Sequence, residues 1–199
     1  MRIVIALCRW RASFVKEGKG GVTKGRALTE SAGMRGYFGI GSERISKPMN
    51  LGAVLRTGHA FGASFAFTIG SALDQRETEF SDTSKSDGHL PLYQWATIDE
   101  MILPKECALV GVELDDRAID LPAFRHPLKA AYILGPEKGD LSEAAKARCA
   151  HLVKIPMRFC VNLSVAAALV MYDRLLTLGG YERGNAKAVR ASGRPQSSS

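Results

Sequence analysis

Short apolar runs of strand length recur along the chain from Tyr37 onward. They read "YFGIG", "SFAFTIG", "CALVGVEL", "AAYILG" and "HLVKIP", and turn-forming residues lie between them. Runs of this length predict buried β-strands. In contrast, the segment "SDTSKSDGHLPLYQW" (Ser81–Trp95) is polar and rich in turn residues, so we expect a loop there.

Three helices are predicted between or after these runs. Asn50 is a residue type that favours an N-cap, and apolar residues follow it at roughly helical spacing: Leu51, Val54, Leu55 and Phe61. Ser142 can cap a second helix through Ala150, and Asn162 opens an almost wholly apolar third helix that stops at Gly179-Gly180. Strands that alternate with helices predict an α/β domain with a mostly parallel sheet flanked by helices.

Three segments follow predicted strands and carry polar side chains. They are the turn that holds Asn50, the turn "GPEKG" (Gly135–Gly139) and the stretch from Ile155 to Ser164. In open α/β sheets the ligand binds beyond the carboxyl ends of the strands, and these segments fall there. We therefore expect them to be neighbours in space and to form the site.

Composition narrows the class of protein. The chain has 199 residues, of which 46% are hydrophobic and 24% charged, enough for one domain with a full core. No apolar run approaches the roughly 18 residues that span a bilayer. The four cysteines and four histidines are scattered, without CxxC or metal-ligand spacing, so neither a disulfide framework nor a metal site is predicted. We expect a soluble cytoplasmic protein.

The net charge of +7 is concentrated at the two ends. Residues 1–36 carry eight Lys/Arg against two acids, residues 182–199 carry four against one, and the middle is slightly negative. The ends could be arms that bind a phosphate backbone. Alternatively, the last 18 residues are a disordered tail and Met34 is the true start. We divide the chain into a basic extension (1–35), a domain (36–181) and a basic tail (182–199).

Taken singly, the polar segments are ambiguous. "GPEKGD" is neither a P-loop nor GxGxxG, and the carboxylate of Glu137 better suits a cationic or hydroxyl-bearing ligand than a phosphate. Arg56 is either a solvent-facing residue or a contact to phosphate or hydroxyl. Asn162 and Ser164 are good helix caps, and Ser164 does not lie in GxSxG, so a hydrolase nucleophile is not predicted.

Taken together and in order, the segments are far more specific. "NLGAVLRTGHAFGAS", "YILGPEKGDLS" and "IPMRFCVNLSVAAALVMYDRL" resemble the three signature motifs of the TrmH-type (SpoU) RNA ribose methyltransferases of the SPOUT superfamily. The resemblance extends from about Gly36 to Tyr181. It implies a deep trefoil knot near the C-terminus, a rare exception among folds. It also implies S-adenosylmethionine (SAM) as methyl donor, a tRNA or rRNA substrate, and a homodimer whose active site draws on both subunits.

The resemblance assigns roles motif by motif. Asn50 and Arg56 match the first motif, Glu137 the second, and Asn162 and Ser164 the third. The resemblance implies that backbone groups of Gly135, Ile155 and Val161 hold the cofactor. Gly111 and Val112, at the end of their strand, would lie close to it. We expect Arg56 to stabilise a developing alkoxide or to anchor the adjacent phosphate, because arginine stays protonated in proteins and is a poor base.

Two departures from the family pattern bear on function. Cys160-Val161-Asn162 stands where many relatives have serine-leucine-asparagine, so the loop that would contact the cofactor differs from the family pattern. Residues 1–35 are too few for a separate RNA-binding domain, which points to the minimal single-domain members.

Two alternatives stay open: a SPOUT enzyme that methylates a base, and a non-catalytic RNA-binding protein that kept the fold. A nucleotide-utilising Rossmann enzyme is a more distant third.

Overall fold

A computed structural model describes residues 36–73 and 90–178 of the chain. These residues form one parallel sheet of seven strands in the spatial order β3-β2-β1-β6-β4-β7-β5. In chain order the strands are β1 (Tyr37–Glu43), β2 (Phe65–Ile69), β3 (Leu92–Trp95), β4 (Ala108–Val112), β5 (Ile119–Asp120), β6 (Lys129–Leu134) and β7 (His151–Lys154). The predicted mostly parallel α/β sheet is thereby confirmed.

Helices cover both faces of this sheet. On one face α1 (Pro48–Ala60) packs against α3 (Leu163–Thr177), and together with β1 and β6 they enclose one apolar core. On the other face the short α2 (Glu143–Arg148) and the segment 98–107 cover a second core. As predicted, Ser142 caps α2 by accepting a hydrogen bond from the Ala145 amide at 3.1 Å, and Asn162 caps α3.

Two local predictions are wrong. Asn50 is not an N-cap: α1 begins at Pro48 after Lys47, because proline fits the first turn of a helix, and Asn50 lies inside that turn. The predicted loop Ser81–Trp95 ends in β3, which pairs with β2 at the sheet edge. Residues 81–89 of that loop lie outside the described residues. The short β5, which pairs with β7, was not predicted from sequence.

A buried arginine ties α3 to the amino-terminal edge of the sheet. The side chain of Arg174 is 2% exposed. Its guanidinium donates hydrogen bonds to the carbonyls of Pro127 (2.6 Å), Leu128 (2.8 Å) and Tyr37 (3.3 Å) and to the Tyr132 hydroxyl (3.1 Å). The end of the domain is thereby joined to the first residue of β1.

Several expectations from the sequence concern the two ends of the chain and its topology. The basic extension (1–35) and tail (182–199) lie outside the described residues, and the trefoil knot and the domain limits stay predictions. Within residues 36–73 and 90–178, no helix is long and apolar enough to cross a bilayer. The same residues contain no group of three or more His, Cys, Asp or Glu side chains arranged to hold a metal ion.

Candidate functional site

A cleft of about 400 Å³ opens at the carboxyl ends of β4 and β6, where the three polar segments meet. Its floor is apolar, formed by Val112, Leu134, Ile155, Leu163 and Ala166. Its rim carries three carboxylates, Glu113, Glu137 and Asp140, against a single cationic residue, Lys47. The cleft therefore suits a ligand that combines an apolar ring with a positive charge.

Glu137, in the "GPEKG" turn, holds the chain that leads into α1. Its carboxylate accepts hydrogen bonds from the Ser46 amide (3.2 Å) and hydroxyl (3.1 Å), the Lys47 amide (3.1 Å) and the Asn50 side chain (3.0 Å). Partial burial opposes ionisation, but the hydrogen bonds from Asn50, Ser46 and Lys47 outweigh it and lower the pKa of Glu137. Glu137 is thus an ionised acceptor whose oxygens are already engaged.

The polar network continues from Asn50 to the third motif. Asn50 is buried, and its Oδ1 accepts a hydrogen bond from Asn162 Nδ2 at 3.2 Å. Asn162 Oδ1 in turn accepts from the Ser164 amide (2.8 Å) and hydroxyl (2.6 Å). Four of the five predicted catalytic residues therefore form one continuous hydrogen-bonded chain, of which Glu137, Asn50 and Asn162 line the cleft.

Two further carboxylates, which the sequence did not single out, fasten the loop that follows the "GPEKG" turn. Glu113 accepts a hydrogen bond from the Leu141 amide at 2.7 Å. Glu43 is 5% exposed and accepts from the Ser142 amide (2.7 Å) and hydroxyl (2.6 Å). The available signal was an acidic residue at the end of an apolar run, at β1 and just after β4.

Four of the five predicted cofactor-binding residues line the cleft: Val112, Gly135, Ile155 and Val161. The absence of a side chain at Gly135 lets the Glu113 carboxylate and the Leu141 amide pack close to the backbone. A Cβ there would lie 3.1 Å from Glu113 Oε2 and 3.2 Å from the Leu141 amide nitrogen. Gly111 is not in the lining. A Cβ on it would meet Leu152 and Cys149, on the side of the sheet away from the cleft.

Arg56 does not join this network within its own chain. It lies six residues beyond Asn50, on an exposed stripe of α1 that also carries Met49. Among the described residues it has no hydrogen bond or ion pair, and it does not line the cleft. Its predicted role at the ribose hydroxyl stays a prediction.

The curated proteins similar to this chain include enzymes named as tRNA methyltransferases. The tRNA (guanosine(18)-2'-O)-methyltransferase of Escherichia coli K12 is 26% identical over 137 residues, which cover 66% of this chain and 59% of that protein. The enzyme of the same description from Thermus thermophilus is 29% identical over 152 residues, covering 71% and 77%. The chain thus spans about three fifths of the length of the E. coli relative.

Solved structures share the fold. The SpoU methyltransferase AviRb of Streptomyces viridochromogenes, in complex with the cofactor AdoMet, matches with a TM-score of 0.64 and 22% identity over 74% of this chain and 62% of that one. A structure described as giving insights into the 2-OH methylation of C/U34 on tRNA matches with a TM-score of 0.61 and 25% identity, over 74% and 99%.

The family model described as the SpoU rRNA Methylase family matches residues 38–172, which include the first two motifs, the third motif as far as Tyr172, and every residue that lines the cleft. This match covers about two thirds of the chain. The protein therefore belongs to the SpoU rRNA methylase family.

Proposed function

We propose that this protein is a SAM-dependent RNA methyltransferase that transfers a methyl group to a ribose 2′-hydroxyl of tRNA or rRNA. The observation that carries the proposal is the hydrogen-bonded chain Glu137–Asn50–Asn162–Ser164, whose first three members line an acidic cleft with an apolar floor. The E. coli and Thermus relatives, both named as tRNA 2'-O-methyltransferases, support it.

The cleft fits SAM, whose sulfonium and ammonium groups outweigh its carboxylate by one positive charge. Three rim carboxylates attract such a cation, and the apolar floor suits its adenine ring. Gly135, Ile155 and Val161 line this cleft and would contact the cofactor. When bound, SAM supplies a methyl group that is already activated for transfer.

The residues of this chain must align the ribose and ease the loss of its proton. Glu137 and Asn50 fix the start of α1 against the "GPEKG" turn, and Asn162 orients the Ser164 hydroxyl. Glu137 has no oxygen free of hydrogen bonds, so its role is to position neighbours. Arg56 supplies a fixed positive charge for the developing alkoxide.

The homodimer is part of the same proposal. An apolar stripe on α3 is 38% to 53% exposed in the single chain and consists of Val165, Leu169, Tyr172 and Leu176. A second copy of the chain packed against this stripe would remove it from solvent. In that dimer, Arg56 of one subunit would reach the cleft of the other. We place the enzyme in the cytoplasm, where tRNA and rRNA are found.

Two measurements test the proposal. Calorimetry should detect SAM binding by the purified protein, and its absence would favour a non-catalytic RNA-binding protein. RNA incubated with the protein and methyl-labelled SAM should yield labelled 2′-O-methylnucleosides after digestion to nucleosides. Label on a base would show a base methyltransferase. Mapping 2′-O-methyl sites in cells with and without the gene would then identify the RNA.

A further inference from the structure

A second cleft of about 390 Å³ adjoins the first. The two share Lys47, Pro136 and Glu137, which form the wall between them. The lining of the second cleft is Arg44, Ser46, Lys47, Pro136, Glu137 and Lys138. Three of these six residues are cationic and one is acidic, so the charge balance is the reverse of the first cleft.

The positive charges of this basic cleft are largely uncompensated. Its one carboxylate, Glu137, already accepts four hydrogen bonds from Ser46, Lys47 and Asn50. Within the described residues, the ammonium groups of Lys47 and Lys138 have no hydrogen bond or ion pair, and both residues are exposed. Two cations are therefore free to contact a ligand at little cost in desolvation.

Arg44 adds a forked donor at the other side of the basic cleft. Its guanidinium donates one hydrogen bond to the Asp140 carbonyl at 2.7 Å and lies 4.0 Å from Glu43, whose carboxylate is occupied by Ser142. The side chain is 52% exposed, so its remaining N–H groups face solvent. The backbone of Arg44 has a φ of +52°, a conformation that costs free energy for any residue with a Cβ.

We propose that the basic cleft binds backbone phosphates of the RNA strand whose ribose lies at the first cleft. This inference rests on the proposed function. Each ribose in an RNA strand is flanked by phosphodiester groups. A ribose held at the acidic cleft therefore brings a negatively charged phosphate close to the adjoining basic cleft. Arg and Lys contact phosphates independently of base sequence, which positions a strand. The wall at Lys47 and Glu137 then separates the cationic cofactor from the anionic substrate.

The test compares two variants that each remove two positive charges. Lys47→Gln/Lys138→Gln alters the basic cleft. Lys105→Gln/Arg125→Gln alters two exposed cations that precede β4 and β6, at the opposite edge of the sheet. Binding of unfractionated tRNA is measured over a series of KCl concentrations without cofactor. Loss of two phosphate contacts should reduce the slope of log K against log salt by about 1.4 to 1.8, which is roughly a ten- to thirtyfold loss of affinity at 0.15 M salt.

The control pair should keep the wild-type slope, and Lys47→Arg/Lys138→Arg should restore it. SAM affinity should be unchanged in the Lys105/Arg125 control pair, and melting temperature should be unchanged in all variants. Equal slopes for wild type and the Lys47/Lys138 variant would overturn the inference, as would equal losses in the two Gln pairs. A variant that keeps its RNA slope but loses SAM binding would show that the basic cleft holds the carboxylate of SAM. If the wild type neither binds SAM nor methylates RNA, the proposed function fails instead.

Discussion

Glu137 is the residue on which most of the rim depends. Because four donors face its carboxylate, the Glu137→Gln variant would place an amide N–H group against other donors. We expect it to lower the free energy of unfolding at pH 7 by about 1–2 kcal/mol. Urea denaturation measures this, and Asp116→Asn, an exposed carboxylate outside the cleft, is the control.

The same variant should change the pH dependence of stability. The folded-state pKa of Glu137 is lowered from 4.5, so its stabilising contribution is fully present above that pH. The contribution is lost as the pH falls below 4.5 through the folded-state pKa. Between pH 6 and 3, stability of the variant should thus fall less steeply than that of the wild type. Parallel curves would contradict an ionised, hydrogen-bonded Glu137.

Arg56 should affect methyl transfer and leave cofactor binding intact. Arg56→Ala removes a fixed charge where negative charge develops, and deleting such a donor typically lowers the rate roughly a hundred- to a thousandfold. Lysine should rescue poorly, since it lacks the planar fork. SAM affinity, by calorimetry, should change less than about tenfold. Normal methylation by Arg56→Ala, or loss of SAM binding by a folded dimer, would refute this role.

At the scale of elements, the segment between β7 and α3 forms one wall of the cleft. It contains a cysteine whose reactivity can report whether the cleft is occupied. Cys160 is exposed and lines the cleft. Burial raises the pKa of the Cys149 thiol to about 12 and also raises that of Cys107, so both should react slowly.

In a Cys8→Ser background, which removes the cysteine outside the described residues, maleimide should therefore label Cys160 first. With SAM at about 100 times its Kd, labelling of Cys160 should slow by roughly tenfold or more. Peptide mass spectrometry follows each cysteine, and Cys107 and Cys149 serve as internal controls. An unchanged Cys160 rate under saturating SAM would place the cofactor away from this segment.

The elements that could be predicted are those whose signal is local. The apolar runs at β1, β2, β4 and β6 were found, because strands buried on both faces read as continuous apolar stretches. The run "HLVKIP" also indicated β7, although only Val153 of that strand is fully buried. Strand β3 was missed because it follows a polar segment, and it is stabilised by pairing with β2. The sequence indicated correctly that three segments would meet, since parallel strands present their carboxyl ends at one edge.

The geometry of the site was less accessible from sequence. Asn50 is a residue type that favours helix N-caps, but its side chain forms hydrogen bonds with Glu137 and Asn162, which lie 87 and 112 residues away in sequence. The basic cleft combines Arg44 and Lys138, which are also remote from each other along the chain. Contacts of this range follow from the topology of the sheet, so no local pattern predicts them.

At the scale of the whole molecule, the exposed stripe on α3 should be the dimer interface. A twofold interface carries every substitution twice, and like charges that face each other cost several kcal/mol. Leu169→Glu should therefore sediment as a monomer at micromolar concentration, whereas the wild type sediments as a dimer. Ile102→Glu, at an exposed apolar residue outside α3, is the matched control. A monomeric wild type would argue strongly against the proposal.

A shared active site can also be tested by mixing chains. If Arg56 of one subunit serves the cleft of the other, a dimer of Arg56→Ala with Asn162→Ala has one site with both lesions and one intact site. After unfolding and refolding of an equal mixture, activity should recover to about a quarter of the wild type, because half the dimers are mixed. No recovery, with mixed dimers present by native mass spectrometry, would assign both residues to the same subunit's site.

The Arg174 contacts have a consequence for biosynthesis. Ribosomes make the chain from its amino terminus, so β1 emerges long before α3. The Tyr37 carbonyl lies 137 residues upstream of its partner guanidinium and must wait for nearly the whole domain to be translated. That guanidinium cannot lose its charge, so α3 enters the core only when the carbonyls of Tyr37, Pro127 and Leu128 are already assembled to receive it. Among the described helices α3 is the last to be synthesised, so we expect it to join the sheet late, after the strands that supply these carbonyls.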